Sequence, residues 1–291
     1  MKFSIITPTY NRALTIERAV ESILNQSYQN FEMIIIDDGS TDSTLDILKK
    51  YSNDSRIRVI KSISNAGVNV ARNIGLKNVA NDSDWITFLD SDDEFTFDAL
   101  QNMILTVEAN PMINYFRFPV KYIDGSIVSN MKLASTIADY KMYLSQISDC
   151  GEWVVTINRE IVLKGFFYDE RVKAHESLSW IALSKKEKLF YGKSIVRIYN
   201  LDVDGITRQK EKSLKFYENA IEGSNIMLDE YGDDLKKYNI KVYASILFAL
   251  ANYNLIIGNT KLGLNQTSKA MKIDFFNLRI LRNLKSLILN R

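Results

Sequence analysis

The acid-rich turn Asp90-Ser91-Asp92-Asp93 closes the apolar segment WITFL and offers carboxylates two residues apart. At the end of a strand, Asp90 and Asp92 can both reach one cavity, directly or through water. Hard cations such as Mn²⁺ and Mg²⁺ favour oxygen ligands, and Mg²⁺ usually takes one or two carboxylates together with substrate phosphates. A diphosphate leaving group needs that positive charge, because negative charge builds on it as its bond breaks. A solvated acidic turn capping a helix that begins near Thr96 explains the same residues without chemistry. Two further polar segments follow apolar runs: Thr7-Pro8-Thr9-Tyr10-Asn11-Arg12 and Asp37-Asp38-Gly39-Ser40. Ligands of open parallel α/β sheets bind outside the carboxyl ends of the strands, so parallel strands would line one crevice with all three segments. That convergence favours chemistry over a solvated turn.

Each turn needs an element behind it. KFSIITPTY begins with an apolar run from Phe3 to Ile6 that Pro8 interrupts, and Leu14, Ala19, Val20, Ile23 and Leu24 follow at helical spacing. FEMIIIDD is a continuous apolar run of the kind buried on both faces of a sheet. Asp38-Gly39-Ser40 ends it, and Thr41 or Asp42 can cap a helix carrying Leu45, Leu48 and Tyr51. IRVIKS predicts a third strand, residues 67–79 a third helix and DWITFLD a fourth strand. Strands separated by helices imply right-handed βαβ units around a parallel sheet. Over 95–205 the pattern is mixed, with helices predicted at 97–109, 135–147 and 174–188 and short strands near 114–122, 152–157 and 194–199. After Lys210 no strand is predicted, and 243–258, 262–273 and 275–289 read as helices with apolar stripes.

Composition narrows the chemistry. The chain has 291 residues, 46% of them hydrophobic, and only 3 Pro, which excludes a disordered or low-complexity protein. A single cysteine, Cys150, excludes an internal disulfide and Cys-rich metal sites. A single histidine, His175, excludes a His-clustered metal site and argues against a Ser-His-Asp hydrolase. The absence of GxxxxGK[ST] and GxGxxG argues against a kinase-like NTPase and a dinucleotide oxidoreductase. Acids outnumber bases over residues 1–100, and bases outnumber acids over 205–291. The basic residues form no aromatic-basic stripe on a sheet, so no nucleic-acid partner is expected. With neither a signal-peptide pattern nor an apolar run of about 20 residues, the expected location is cytoplasmic, soluble or at a membrane surface.

SIITPTYNR, IIIDDGSTDST, NAGVNVARNIGL and WITFLDSDDEF together closely resemble glycosyltransferase family 2, in that family's order and spacing across residues 3–95. The resemblance fades over 96–205 and is absent beyond. It implies a GT-A fold: Rossmann-like α/β, with a mostly parallel sheet flanked by helices. A C-terminal all-helical appendage would follow. The expected domains are 1–208 (a nucleotide-binding half over 1–95 and an acceptor half over 96–208) and a helical region over 209–291. The resemblance also implies a nucleotide-sugar donor, a divalent metal (Mn²⁺ or Mg²⁺) and inversion at the anomeric carbon. On its motifs, Pro8 and Tyr10 match the loop that packs on the nucleotide base. Asp38 matches the carboxylate that hydrogen-bonds the base, usually uracil, which suits the acceptor character of a carboxylate. Arg72 matches a position beside the nucleotide, with a salt bridge to one of the acids as the alternative. Asp92 matches the direct metal ligand, and Asp90 lies nearer the ribose. A UDP-sugar donor and a bacterial surface-glycan or lipid-linked acceptor follow as expectations.

Inversion requires a base that deprotonates the acceptor hydroxyl. The family commonly uses the Asp of a Glu-Asp pair at a helix start, and the corresponding stretch here is FFYDERVKAHESLSW. Glu176 matches the Glu, but Ser177 stands where the Asp belongs. Either Glu176 serves, or Asp169 or Glu170 does, or the protein is an unusual or inactive transferase acting as an adaptor. A sugar nucleotidyltransferase is a weaker alternative, because TPTYNR is neither Gly-rich nor strongly basic. Asn65 and Gly67 are expected to shape the turn before the third helix. Trp153 and Trp180 are read either as core or as sugar-stacking platforms. Thr207 is considered for a loop closing over the diphosphate. Residues 270–291 interleave cations with apolar residues, which suits either a docked terminal helix or peripheral contact with an anionic membrane.

Overall fold

The four apolar runs of the first ninety residues form the parallel half of the sheet: β1 (Phe3–Thr9), β2 (Phe31–Asp37), β3 (Ile57–Lys61) and β4 (Trp85–Phe88), in the order β3-β2-β1-β4. The computed structural model describes residues 1–173, 175–201 and 212–275. Strands β1, β2 and β4 are buried at every position, which is why their sequences scarcely alternate. Pro8 does not end the first strand; β1 continues through it to Thr9. It lies beyond the last β1–β4 pair, Ile6 with Phe88, so the ladder asks nothing of its missing N–H.

Helices α1 (Ile16–Leu24), α2 (Thr44–Leu48) and α3 (Val68–Lys77) connect these strands. Ile16, Ala19, Val20 and Ile23 of α1 are fully buried in one core cluster with Phe3, Ile5, Met33 and Ile35. On the opposite face Gly75 of α3 rests on β1 and β2. A Cβ there would lie 2.5 Å from Ile6 Cγ2 and 3.0 Å from Ile36 Cδ1. The helix can approach this closely only because the side chain is absent.

Downstream come β5 (Glu94–Phe95), α4 (Ala99–Glu108), β6 (Tyr115–Tyr122), β7 (Ile137–Ala138), α5 (Tyr140–Gln146), β8 (Trp153–Asn158), α6 (Arg159–Leu163), α7 (Ser177–Ser184), β9 (Leu189–Tyr191) and β10 (Arg197–Tyr199). The sheet continues from β4 through β8, β6 and β10 to β5. Strand β8 is antiparallel to both β4 and β6, while β10 and β9 run parallel to β6. Several features differ from expectation. The helix predicted at 135–147 begins only at Tyr140, after the short strand β7. Strands β5, β7 and β9 and the five-residue helix α6 were not anticipated; so few residues cannot show a period.

The chain divides into two units, Met1–Tyr140 with Asp149–Asp204, and Lys141–Ser148 with Gly205–Arg291. The second contains α8 (Leu214–Tyr238), α9 (Ile240–Ile256) and α10 (Thr260–Met271). Helices α9 and α10 match two of the predicted segments, but α8, 25 residues long, was not predicted. Its buried positions are Ala220, Gly223, Ser224, Met227, Tyr231, Gly232 and Leu235, so small residues interrupt its apolar stripe. Asn239 caps α9 by accepting from the Val242 amide, and its side-chain nitrogen donates to the carbonyls of Leu144 and Ser145, 3.0 Å each. Asn254 and Gln266 join α9 to α10 at 3.1 Å. Thr207 and 276–291, most of the basic tail, lie outside the described residues. No helix among the described residues is long and apolar enough to cross a membrane.

Gly75→Ala is expected to destabilise the sheet unit by about 1–3 kcal/mol through overpacking against Ile6 and Ile36. A lowered urea midpoint followed by tryptophan fluorescence, which Trp85, Trp153 and Trp180 supply from that unit, checks it.

Candidate functional site

Parallel register brings the carboxyl ends of β1, β2 and β4 to one edge, with Thr9 opposite Asp37 and Ile6 opposite Phe88. The loop after β1 is stitched to the loop after β2. Asn11, at φ +51°, donates its amide to Ser40 Oγ and accepts from the Thr41 amide, while the Arg12 amide donates to Thr44 Oγ1. Asp42 accepts from the Ala13 amide at 3.1 Å and the Thr44 amide at 3.0 Å, but the N-cap of α2 is Ser43, one residue beyond the Thr41 or Asp42 expected from the sequence. This stitching aims Arg12 Nη2 at Asp92 Oδ2, 3.7 Å away. Tyr10 stands exposed at the mouth, whereas Pro8 is buried in β1 rather than in the loop.

Asp38 is buried and shapes the turn before α3. Its two oxygens accept from the Ala66 and Gly67 amides at 2.9 and 2.8 Å. Burial pushes its carboxyl above the usual range, against the pull of those amides and of Lys173. Gly67 holds φ +102°, where a Cβ would also meet Lys173 Cβ at 2.8 Å, so the expected glycine turn is present.

The buried polar face of α3 then organises the far side of the crevice. Asn69, Arg72 and Asn73, spaced i, i+3 and i+4, all point away from solvent. Asn69 donates to the carbonyls of Asp169 and Val172, and Asn73 donates to the Tyr168 carbonyl and Glu170 Oε1. Arg72 bridges two acids: Nη1 donates to Glu176 Oε2 at 2.6 Å and Nη2 to Asp90 Oδ1 at 3.0 Å. The salt-bridge alternative for Arg72 is therefore what its geometry shows. Its guanidinium also lies 5.2 Å from the Tyr168 ring centroid.

A second arginine, Arg197 of β10, was not anticipated. It lies 3.5 Å from Asp90 Oδ2, 3.4 Å from Asp93 Oδ2 and 3.7 Å from Glu152 Oε2. Burial works against charge on Asp90, but Arg72, Arg197 and Arg12 outweigh it and hold the carboxyl below its usual range. Asp92 is shifted up by burial and by Asp90, with Arg12 opposing. Burial moves Asp93 up to about 7, only partly offset by Arg197. Arg18 of α1 holds this turn from outside, donating to the Asp92 carbonyl at 2.6 Å.

Glu176 is the N-cap position of α7 and Ser177 its first residue, so the expected acid does stand at a helix start. Asp169 is tied to Arg171 at 2.5 Å and Glu170 to Asn73; both brace their own loop. His175 has φ +76°, and burial lowers its proton affinity. Trp153 and Trp180 are core residues, correcting the stacking-platform alternative. Trp153 Nε1 donates to the Cys150 carbonyl, and Trp180 stacks on Phe166 at 5.4 Å. Arg197 and Glu152 escaped sequence reasoning, whereas Arg12 stands in the first of the polar segments expected to line the crevice. Arg197 and Glu152 reach the site through sheet pairing, which leaves no local pattern.

The glycosyl transferase family 2 profile matches residues 4–162. TuaG of Bacillus subtilis, a glycosyltransferase assigned to teichuronic acid biosynthesis, is 33% identical over 73% of this chain and 84% of its own length. The minor teichoic acid biosynthesis protein GgaA of the same organism is 42% identical over 65% of this chain, which spans only 44% of that longer protein. Staphylococcus aureus TarS 1–349, solved with UDP-GlcNAc, superposes with a TM-score of 0.66 at 18% identity, covering 100% of this chain and 89% of that one. That likeness shows the GT-A-like fold. Family match and relatives together place this chain in glycosyltransferase family 2, as a glycosyltransferase.

Proposed function

We propose that this protein transfers a sugar, with inversion, from a UDP-sugar to a hydroxyl of a bacterial surface glycan or lipid-linked acceptor, using Mn²⁺ or Mg²⁺. The observation that carries this is the convergence of Asp38, Arg72, Asp90 and Asp92 at the carboxyl edge of the parallel strands. The names of TuaG and GgaA support a wall-polymer acceptor, and the UDP-GlcNAc complex of TarS supports a UDP-linked donor. A mannosyltransferase from Pyrobaculum calidifontis solved with GDP-Man and Mn²⁺, TM-score 0.59 at 14% identity, supports metal use.

Asp38 would meet the base. Each of its oxygens accepts one backbone amide and keeps a second lone pair for a base N–H. Tyr10 would cover the base from the mouth of the crevice, with Pro8 holding the strand beneath. Asp90, fixed between two guanidiniums, would stand toward the ribose. The donor set suits a hard cation at Asp92. This is an oxygen ligand whose ion pair with Arg12, at 3.7 Å, leaves its carboxylate open to another cation. Among the described residues no cluster of three or more His, Cys, Asp or Glu surrounds one point, so the set fits a cation that takes its other ligands from phosphate and water. When bound, that cation supplies positive charge to the departing diphosphate. The acceptor hydroxyl then needs a carboxylate on the opposite side, where Glu176 is the residue the motif indicates.

Calorimetric titration should show UDP binding in Mn²⁺ that is lost in EDTA and weak for GDP; binding of neither nucleotide overturns the donor class. Asp92→Asn should slow UDP release from the UDP-sugar by about 10²–10³-fold, on the scale of losing one electrostatic stabiliser. Near-normal turnover in that variant removes Asp92 from the metal site.

A further inference from the structure

We propose that Glu152, and not Glu176, is the group that takes the proton from the acceptor hydroxyl. This rests on the transferase chemistry proposed above, and Ser177 is what leaves the position open. Three carboxylates face that side of the crevice. Asp90 has both oxygens on guanidiniums, at 3.0 Å from Arg72 and 3.5 Å from Arg197. Glu176 has Oε2 in a 2.6 Å charge-assisted hydrogen bond to Arg72, and a proton arriving there would break the bridge that holds that arginine. Glu152 differs from both. Among the described residues its one ion pair, with Arg197, is 3.7 Å long, beyond hydrogen-bond reach, and its side chain is 56% exposed.

Its backbone is nevertheless fixed. Glu152 directly precedes β8, its carbonyl accepts from Ser129 Oγ, and Trp153 beside it is buried and bonded to the Cys150 carbonyl at 2.5 Å. The charged groups around it are Arg197 of β10, Glu176 before α7, Asp90 after β4 and Arg117 of β6. Although the side chain is half exposed, the protein atoms crowded around its carboxyl displace water and raise its proton affinity first. Glu176 and Asp90 raise it further against the two arginines, and the net shift is upward. A carboxylate moved toward neutrality is better matched to proton abstraction than an ordinary one.

The step balances within the donor and acceptor. The acceptor O–H bond breaks as its proton passes to a Glu152 carboxylate oxygen. The acceptor oxygen forms a bond to the anomeric carbon, and the bond from that carbon to the β-phosphate oxygen breaks, its electron pair leaving with UDP. Glu152 then returns the proton to water.

The test uses the full chain with Mn²⁺ and follows UDP release from UDP-glucose, UDP-galactose, UDP-N-acetylglucosamine and UDP-N-acetylgalactosamine, with water as the acceptor. Wild type, Glu152→Gln, Glu152→Asp and Glu176→Gln are compared, and UDP affinity is measured for each by calorimetry. Glu152→Gln should keep UDP affinity and lose about a hundredfold or more in release rate. Glu152→Asp should recover part of that loss. The wild-type rate should rise with pH as Glu152 loses its proton, on a limb that Glu152→Gln lacks. Normal release by Glu152→Gln, with release lost in Glu176→Gln at unchanged UDP affinity, returns the role to Glu176. Loss of UDP affinity in Glu152→Gln reduces Glu152 to a positioning residue for Arg197. A wild type that binds UDP but releases it from no UDP-sugar overturns the donor reading, and the base assignment falls with it.

Discussion

A buried guanidinium cannot stay charged without partners, and Arg72 satisfies that constraint by joining Asp90 to Glu176. Burial opposes its charge, and Glu176, Tyr168 and Asp90 more than restore it. The consequence is mechanical as well as electrostatic. Asp90 ends β4, Glu176 begins α7, and Arg72 itself is anchored within α3, so one side chain sets the spacing of three elements. Removing either acid would leave the buried guanidinium with a single partner and release one of the elements it ties together, which gives the bridge its hold over the local structure.

The neighbouring residues of α3 make that bridge rigid. Asn69 and Asn73 pin 168–172 through five side-chain hydrogen bonds, counting the Tyr168 amide that donates back to Asn73 Oδ1. The ARN element is thus more than a nucleotide-side motif. It is the inner face of a helix whose opposite end, at Gly75, needs no side chain in order to press on β1 and β2. One short helix packs on the sheet near its carboxyl end and holds the loop 168–172 through the residues before it.

How legible all this was depends on the kind of signal. Strands β1, β2 and β4 are buried on both faces and declare themselves as apolar runs, and the three polar turns that follow them could be placed together from parallel connectivity alone. Helix α8 lies in the region expected to be helical but was not singled out as a segment, because Gly223, Ser224 and Gly232 interrupt the stripe of Met227, Tyr231 and Leu235 on its buried face and read as polar or turn-forming. Glu176 was found because a motif pointed to it. Glu152 and Arg197 were not, since their approach to Asp90 depends on β10 pairing with β6 and β6 with β8, contacts between residues far apart in sequence. Local patterns reveal elements, whereas charge networks between elements become visible only after the register is known.

That network explains why the crevice carries strained carboxylates without collapsing. Asp90, Asp92, Asp93, Glu152 and Glu176 outnumber the guanidiniums of Arg12, Arg72 and Arg197 placed among them. The pairs are divided unequally. Asp90 touches two arginines and is held below the usual carboxylate range, while Asp92, Asp93 and Glu152, with burial as the leading cause, are all displaced upward. Shifts in that direction come first from taking the carboxylates out of water and then from the neighbouring acids, which the three arginines do not fully offset. Such a site favours whatever brings cation or proton into it, and it resists a bare diphosphate. On the function proposed above, a nucleotide arriving with a divalent cation would meet both conditions at once, with the cation toward Asp92 and the unsatisfied proton affinity left at Glu152, at the other end of the same chain of charges.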